Sequence, residues 1–292
     1  MKKRLGLLLS FCLAGCAMQP TDSAVITKEN TMPSGCLCYR TIPDFNFREP
    51  LAETAPVADA FFAQTAFLGD SRAVGVYDYE VFPQAEVLAS IGLSINQWQI
   101  KKVIGEGKEK QTVWEALQAR SFQRLVLIVG YNELGWDYSS VFKQKLSDLI
   151  DHLRQLQPEA VLLLQKIYPC SAKGYAAEKD VTPQKIDEYN VIFEELAEEK
   201  QIYLLDPSPL LIDENNELRA ELTDDGVHLN TAGFAIYKEY MKTHVEDREN
   251  HEKMECPDRS SAHDDGLSEP GRGQSQPQRG GSYESAESES GS

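Results

Sequence analysis

Residues 66–76 read "AFLGDSRAVGV". An apolar run ends in Gly69-Asp70-Ser71 and passes straight into a helical pattern. Two readings of Ser71 compete. Ser and Asp are favoured at helix N-caps, because their side chains accept backbone N–H bonds that the first turn leaves unpaired. Alternatively, Ser71 is a nucleophile held at the carboxyl edge of a sheet, where α/β folds place their ligand sites. The surrounding pattern has to decide.

Short apolar runs recur on both sides of this stretch. Candidate strands are TAFLG (65–69), EVLASI (86–91), RLVLIV (124–129), AVLLLQKIY (160–168) and IYLLD (202–206). Most are apolar on both faces, as expected of parallel strands covered by helices on each side. Between them Phe142, Leu146, Leu149, Ile150 and Leu153 recur at helical spacing. Thr182-Pro183 is a helix start, with Pro at the first helical position, and Ile186, Tyr189, Phe193 and Leu196 supply its buried stripe. Thr231 is placed to cap a last helix carrying Phe234, Ile236, Tyr237 and Tyr240. Strands alternating with helices predict a three-layer α/β/α sandwich around a mainly parallel sheet of about five strands.

The predicted domain spans residues 56–245. Before it lies MKKRLGLLLSFCLAGC: a basic start, then an apolar run from Leu5 to Ala14, well short of the ~20 residues that span a bilayer. This is a signal peptide pattern. Its ending, Leu13-Ala14-Gly15-Cys16, resembles the lipobox of bacterial lipoproteins, and the resemblance implies cleavage after residue 15 and lipid on Cys16. The protein is then expected outside the cytoplasmic membrane, tethered by acyl chains that contribute roughly 0.8 kcal/mol per buried CH₂. Residues 16–55 read as a flexible stalk, and 246–292, rich in Ser, Gly and Glu, as an acidic disordered tail. The formal net charge of −17 argues against a nucleic-acid partner, which would require a concentrated basic surface. Cys36, Cys38, Cys170 and Cys256 offer no second pair or histidine at zinc-ligand spacing.

The polar residues fall in the loops that follow the strands. Ser71 follows the first, Gly92 the second and Asn132 the third, while Asp225 and His228 lie beyond the fifth. In a parallel sheet all these loops leave from one edge. Taken in order, Gly69-Asp70-Ser71, Gly92, Gly130-Tyr131-Asn132 and Asp225-Gly226-Val227-His228 resemble the four blocks of the SGNH, or GDSL-type, hydrolases. The resemblance runs across nearly all of 56–245. It implies an esterase or acylhydrolase on a flavodoxin-like sandwich, with the Asn132 amide as an oxyanion donor. Two positions depart from the family pattern: Arg72 stands where an aliphatic residue is usual, and Glu133 where Asp is usual.

A separate argument comes from the chemistry. Serine is a weak nucleophile until a neighbouring base takes its proton. Of five histidines, His152 belongs to an amphipathic helix on its solvent face, His244 ends the last helix, and His251 and His263 lie in the tail. His228 alone sits on a loop of the catalytic edge. Asp225, three residues earlier, can orient its imidazole, with Asp224 as the alternative; an Asp-Gly turn is the plainer reading of the same residues. The Ser71 and Gly92 backbone N–H groups are the further oxyanion donors. Asp70 reads as a cap or a loop-bracing residue, and Arg72 as paired with acidic surface or, failing that, with an anionic substrate group.

The expectation is therefore an extracytoplasmic, lipid-anchored serine esterase: Ser71, His228 and Asp225 as triad, no cofactor and no metal, acting on a small ester or an acylated glycan. An acyltransferase using the same triad is one rival. A non-catalytic, lipid-anchored glycan- or solute-binding protein is the other, since fold alone does not fix function.

Overall fold

The computed structural model describes residues 39–41, 45–107, 109–246 and 253–255. The signal segment with Cys16, most of the stalk with Cys36 and Cys38, and the tail past 255 lie outside the described residues. Tyr39–Thr41 (β1) and Lys253–Glu255 (β7) pair as a small two-stranded sheet.

The main sheet comprises β2 (Thr65–Gly69), β3 (Glu86–Ala89), β4 (Arg124–Ile128), β5 (Val161–Gln165) and β6 (Tyr203–Leu205). Their order is β3-β2-β4-β5-β6, and every pair is parallel. All five expected strands are present, and four of the apolar runs outlast the ladder at one or both ends. In the first three, the residues past the ladder's end turn into the loops of the carboxyl edge. Every residue of β2, β5 and β6 is buried, because helices cover both faces.

Alternation along the strands feeds two cores. Ala66, Leu68, Leu125, Leu127 and Leu164 face α2 (Val113–Gln118), α3 (Ser139–Leu156) and α5 (Pro183–Lys200), meeting Leu117, Phe142, Leu146, Ile150, Ile186 and Phe193. Phe67, Val126, Ile128, Leu163 and Leu205 face α1 (Ser71–Asp78) and α7 (Thr231–Thr243), meeting Ala73, Val76, Phe234, Tyr237 and Tyr240. The short helices α4 (Ala172–Ala177) and α6 (Ser208–Leu211) lie in the connections around β6. Among the described residues no helix is long and apolar enough to cross a membrane.

Helix starts follow the capping chemistry, with one correction. Thr182 caps α5, accepting Lys185 N–H at 3.2 Å. For α7 the cap is Asn230 rather than Thr231: its Oδ1 accepts Ala232 and Gly233 N–H at 3.0 and 3.2 Å. Thr231 is the first helical residue. Asn competes well at this position because its carbonyl reaches two orphan donors at once.

The packed region also begins before residue 56. Phe47 and Leu51 are buried, and Leu51 N–H donates to Leu204 O at 2.9 Å, extending the sheet past β6. The end of the expected stalk is therefore part of the fold.

Gly69 ends β2 where the backbones crowd. A Cβ there would lie 1.9 Å from Ile128 O of β4. Only a residue without a side chain lets β2 and β4 keep their register at the edge that carries Ser71. Gly69→Ala should therefore cost more than about 3 kcal/mol in urea unfolding, beyond the usual range for a point change; an unfolding midpoint equal to wild type would contradict this packing.

Candidate active site

The sheet register aligns the loops. Gly69 pairs with Ala89 on one side and with Ile128 on the other. Ser71, Gly92 and Asn132 follow those three aligned positions by only a few residues, so their loops leave the sheet side by side. Ser90 N–H still donates to Gly69 O, and Asp70 N–H to Ile128 O, at 3.3 and 3.4 Å.

The Asp225–His228 loop follows β6, at the far edge, and must return across the sheet. It does so by lying over the loop after β5. Ser171 N–H donates to Gly226 O at 2.9 Å, and Leu218 N–H to Cys170 O at 3.1 Å. A Cβ on Gly226 would lie 2.3 Å from Gly174 N, and one on Gly174 the same distance from Gly226 O. Two facing glycines thus allow the crossing.

His228 arrives with Nε2 2.8 Å from Ser71 Oγ and Nδ1 2.6 Å from Asp225 Oδ2. The other carboxylate oxygen accepts Val227 and His228 N–H, both at 2.8 Å. Partial burial opposes ionisation of Asp225, but the His228 backbone and ring donors and the Val227 N–H outweigh it and hold the carboxyl well below the usual range. An ionised carboxylate only accepts, so Nδ1 carries the proton and Nε2 turns its lone pair to the Ser71 hydroxyl. Asp224 does not contact the ring; its backbone oxygen accepts from Lys173 Nζ at 2.6 Å.

Asn132 Nδ2 donates to Leu93 O at 3.2 Å, joining its loop to the Gly92 loop. Gly92 itself is exposed with φ +69°, a conformation natural to glycine, and the position a Cβ would take is open. Glu133 makes the firmer tie. Its Oε1 accepts Ser94 Oγ–H and Ile95 N–H at 2.7 and 2.8 Å, and its Oε2 accepts Gly130 N–H at 3.0 Å. Burial raises its pKa against the pull of those three donors. The sequence marked Glu133 only as a departure from Asp; the structure gives that carboxylate both loops to hold.

Arg72 corrects the expectation that it pairs with acidic surface or a substrate anion. It is buried, its guanidinium 4.2 Å from the Tyr131 ring centre and 3.9 Å from that of Tyr168, and it donates to Tyr168 O at 2.7 Å. One cation, adjacent to Ser71, therefore clamps the loops after β4 and β5. Cys170, a buried free thiol, lies 3.6 Å from it. Nothing in the sequence placed Tyr168 or Cys170 here.

Beside Ser71 opens a cavity of about 230 Å³. Val74, Gly75, Asp78 and Tyr79 line it at helical spacing from Ser71, so one face of α1 leads away from the hydroxyl. Ile91, Leu229 and Phe234 close the sides. Phe234 lies where a Cβ on Gly75 would be, 2.3 Å away, and stacks on Tyr79 with ring centres 4.9 Å apart. Among the described residues, no three His, Cys, Asp or Glu side chains gather as a metal site.

A parallel sheet with carboxylate, imidazole and hydroxyl in series at its carboxyl edge is the architecture of a hydrolase. The chain belongs to the GDSL-like lipase/acylhydrolase family, whose model matches residues 67–236, more than half of its length. Fold and family make the protein an esterase or acylhydrolase. No curated protein matches it in sequence. A Streptococcus pneumonia structure described as a platelet activating factor shares its fold, at 22% identity and a TM-score of 0.50, over 61% of this chain and 82% of that one. A GDSL-like lipase from Bacteroides thetaiotaomicron is 17% identical over 64% of this chain and 89% of its own, with a TM-score of 0.48. A family 3 carbohydrate esterase from Clostridium thermocellum is also 17% identical, over 61% and 92%, with a TM-score of 0.44.

Asp70 caps α1 as expected, accepting Arg72 N–H at 2.9 Å, but its second oxygen is buried without a partner. Burial pushes its pKa up to about 7, against the Arg72 N–H and charge. An acid whose pKa is higher folded than unfolded binds more protons in the native state, so the stability it confers falls as pH rises from about 4 to about 7. Asp70→Asn keeps the cap and removes the charge. Thermal melts should therefore show the variant gaining on wild type across that window, with little difference below pH 4; a constant offset at every pH would contradict a neutralised Asp70.

Proposed function

We propose that the protein is a serine ester hydrolase with Ser71, His228 and Asp225 as its catalytic unit. The observation that carries this reading is the unbroken chain from Asp225 through His228 to the Ser71 hydroxyl, at 2.6 and 2.8 Å. Ser71 Oγ attacks the ester carbonyl as its proton passes to His228 Nε2. The resulting imidazolium is stabilised by Asp225, which stays ionised throughout.

The oxyanion is received by the Ser71 and Gly92 backbone N–H groups and by Asn132. Asn132 has two N–H donors, and the bond to Leu93 O uses one of them. His228 then protonates the departing alcohol. Water, activated by the same imidazole, releases the acyl group from Ser71. The apolar cavity along α1 takes a small acyl group, with Phe234 and Tyr79 excluding water from it.

The substrate in this reading is an acylated glycan or other small ester, with acetyl the favoured acyl group. The basic N-terminus and the Leu13-Ala14-Gly15-Cys16 ending support a lipid anchor on Cys16 and a place of action outside the cytoplasmic membrane. A carbohydrate esterase among its structural relatives is in keeping with a glycan substrate.

Hydrolysis of p-nitrophenyl acetate tests the chemistry. Ser71→Ala and His228→Ala should each lower kcat by several orders of magnitude and the double variant little further, because parts of one unit are not additive. Asn132→Ala should slow turnover by about 10²–10³, the usual loss of one oxyanion donor. A fluorophosphonate should label Ser71 alone. Full activity in Ser71→Ala, or labelling of another serine, would sink the proposal.

A further inference from the structure

A second cavity, of about 250 Å³, lies between the segment that follows Gly92 and the middle of α3. None of its lining residues lines the cavity beside Ser71. Trp98 and Trp114 form its aromatic part, edge to face with ring centres 6.2 Å apart, and His152 meets Trp114 at 6.1 Å. Trp98 is 1% exposed, and its indole N–H is buried with no acceptor in the protein. A buried indole N–H normally finds a partner, so this donor is left unsatisfied in the packing that surrounds the cavity. Asn96, Gln99, Lys145 and Asp148 supply donors and acceptors from the exposed rim.

We infer that this cavity is a glycan-binding subsite, separate from the ester-cleaving centre, that holds one uncharged sugar unit. The chemistry is matched on three counts. A pyranose offers a face of C–H groups to aromatic rings and hydroxyls to amides and carboxylates; the half-buried Trp114 ring meets the first, and Asn96, Gln99 and Asp148 the second. The volume suits a single ring. One lysine set against one aspartate favours a neutral ligand over a phosphate or a carboxylate. The site binds without turnover and holds a chain whose acylated units are presented to Ser71 or to another molecule of the protein.

The test uses the full chain carrying Ser71→Ala, titrated with xylotetraose, cellotetraose and chitotetraose and followed by calorimetry and tryptophan emission. Two of the three tryptophans line the cavity, so binding should shift the emission. Trp114→Ala and, independently, Asp148→Ala should each weaken binding at least tenfold; Asp148 is exposed, so its loss should leave folding intact. In the chain with Ser71 restored, both variants should hydrolyse p-nitrophenyl acetate at the wild-type rate, which separates this inference from the esterase reading. It is overturned if none of the three sugars gives heat or an emission change, if binding survives Asp148→Ala unaltered, or if inorganic phosphate binds in their place.

Discussion

Glu133 is the constraint on which the order of the site depends. A buried carboxylate is costly unless it is fully hydrogen-bonded, and three donors from two loops meet this one. The loops after β3 and β4 each anchor in the core, through Leu93 and Ile95 on one side and Leu134 on the other. Their fine register is fixed by where the Ser94, Ile95 and Gly130 donors must converge. Any shift of the Gly92 loop against Asn132 strips a donor from a group that cannot reach water, a cost of several hydrogen bonds rather than one. The extra methylene of Glu over Asp gives the reach to span from Gly130 to Ser94 and Ile95.

The other loops are placed by steric permission. Gly69 lets β2 and β4 close up, and the Gly174–Gly226 contact lets the histidine loop cross above β5. The Arg72 guanidinium then binds the tyrosines after β4 and β5 into one layer beneath Ser71. Helix α1 starts on this layer, so the serine hydroxyl meets His228 while the far end of the same helix face lines the cavity. Backbone approach sets the loops; polar pairing locks them.

Much of this was legible in the sequence, and the physical reason is periodicity. Doubly apolar runs separated by helical stripes can form little besides a covered parallel sheet, and that sheet puts Ser71, Gly92, Asn132 and His228 at one edge. Ser71 reads ambiguously between cap and nucleophile because the capping role belongs to Asp70, one residue earlier. What the sequence concealed were residues whose meaning depends on distant partners. Glu133 looks like any acidic loop residue until Ser94 and Ile95 fold against it, 39 and 38 positions away. Arg72 looks like a surface cation until Tyr131 and Tyr168 close over it. Asn230 and Thr231 offer equivalent capping chemistry, and the exact turn at which the helix begins chooses between them.

Two aspartates near Ser71 have been driven in opposite directions, and the contrast makes chemical sense. Asp225 is partly exposed and surrounded by donors, so it is held ionised. Asp70, adjacent to Ser71, is fully buried with one oxygen unpaired, so its pKa is pushed up to about 7. Environments that separate like groups in this way assign them different tasks. In the proposed mechanism, a full charge on Asp70 would oppose an oxyanion formed at the neighbouring Ser71 and weaken the positive field of the α1 N-terminus. With Asp70 partly neutral, the anionic group against the imidazole is Asp225, on the side where the proposed mechanism develops a positive charge. The carboxyl that caps the helix and the carboxyl that holds the His228 ring are thus kept apart by burial at one and hydrogen-bond donors at the other, with no change in the residue type.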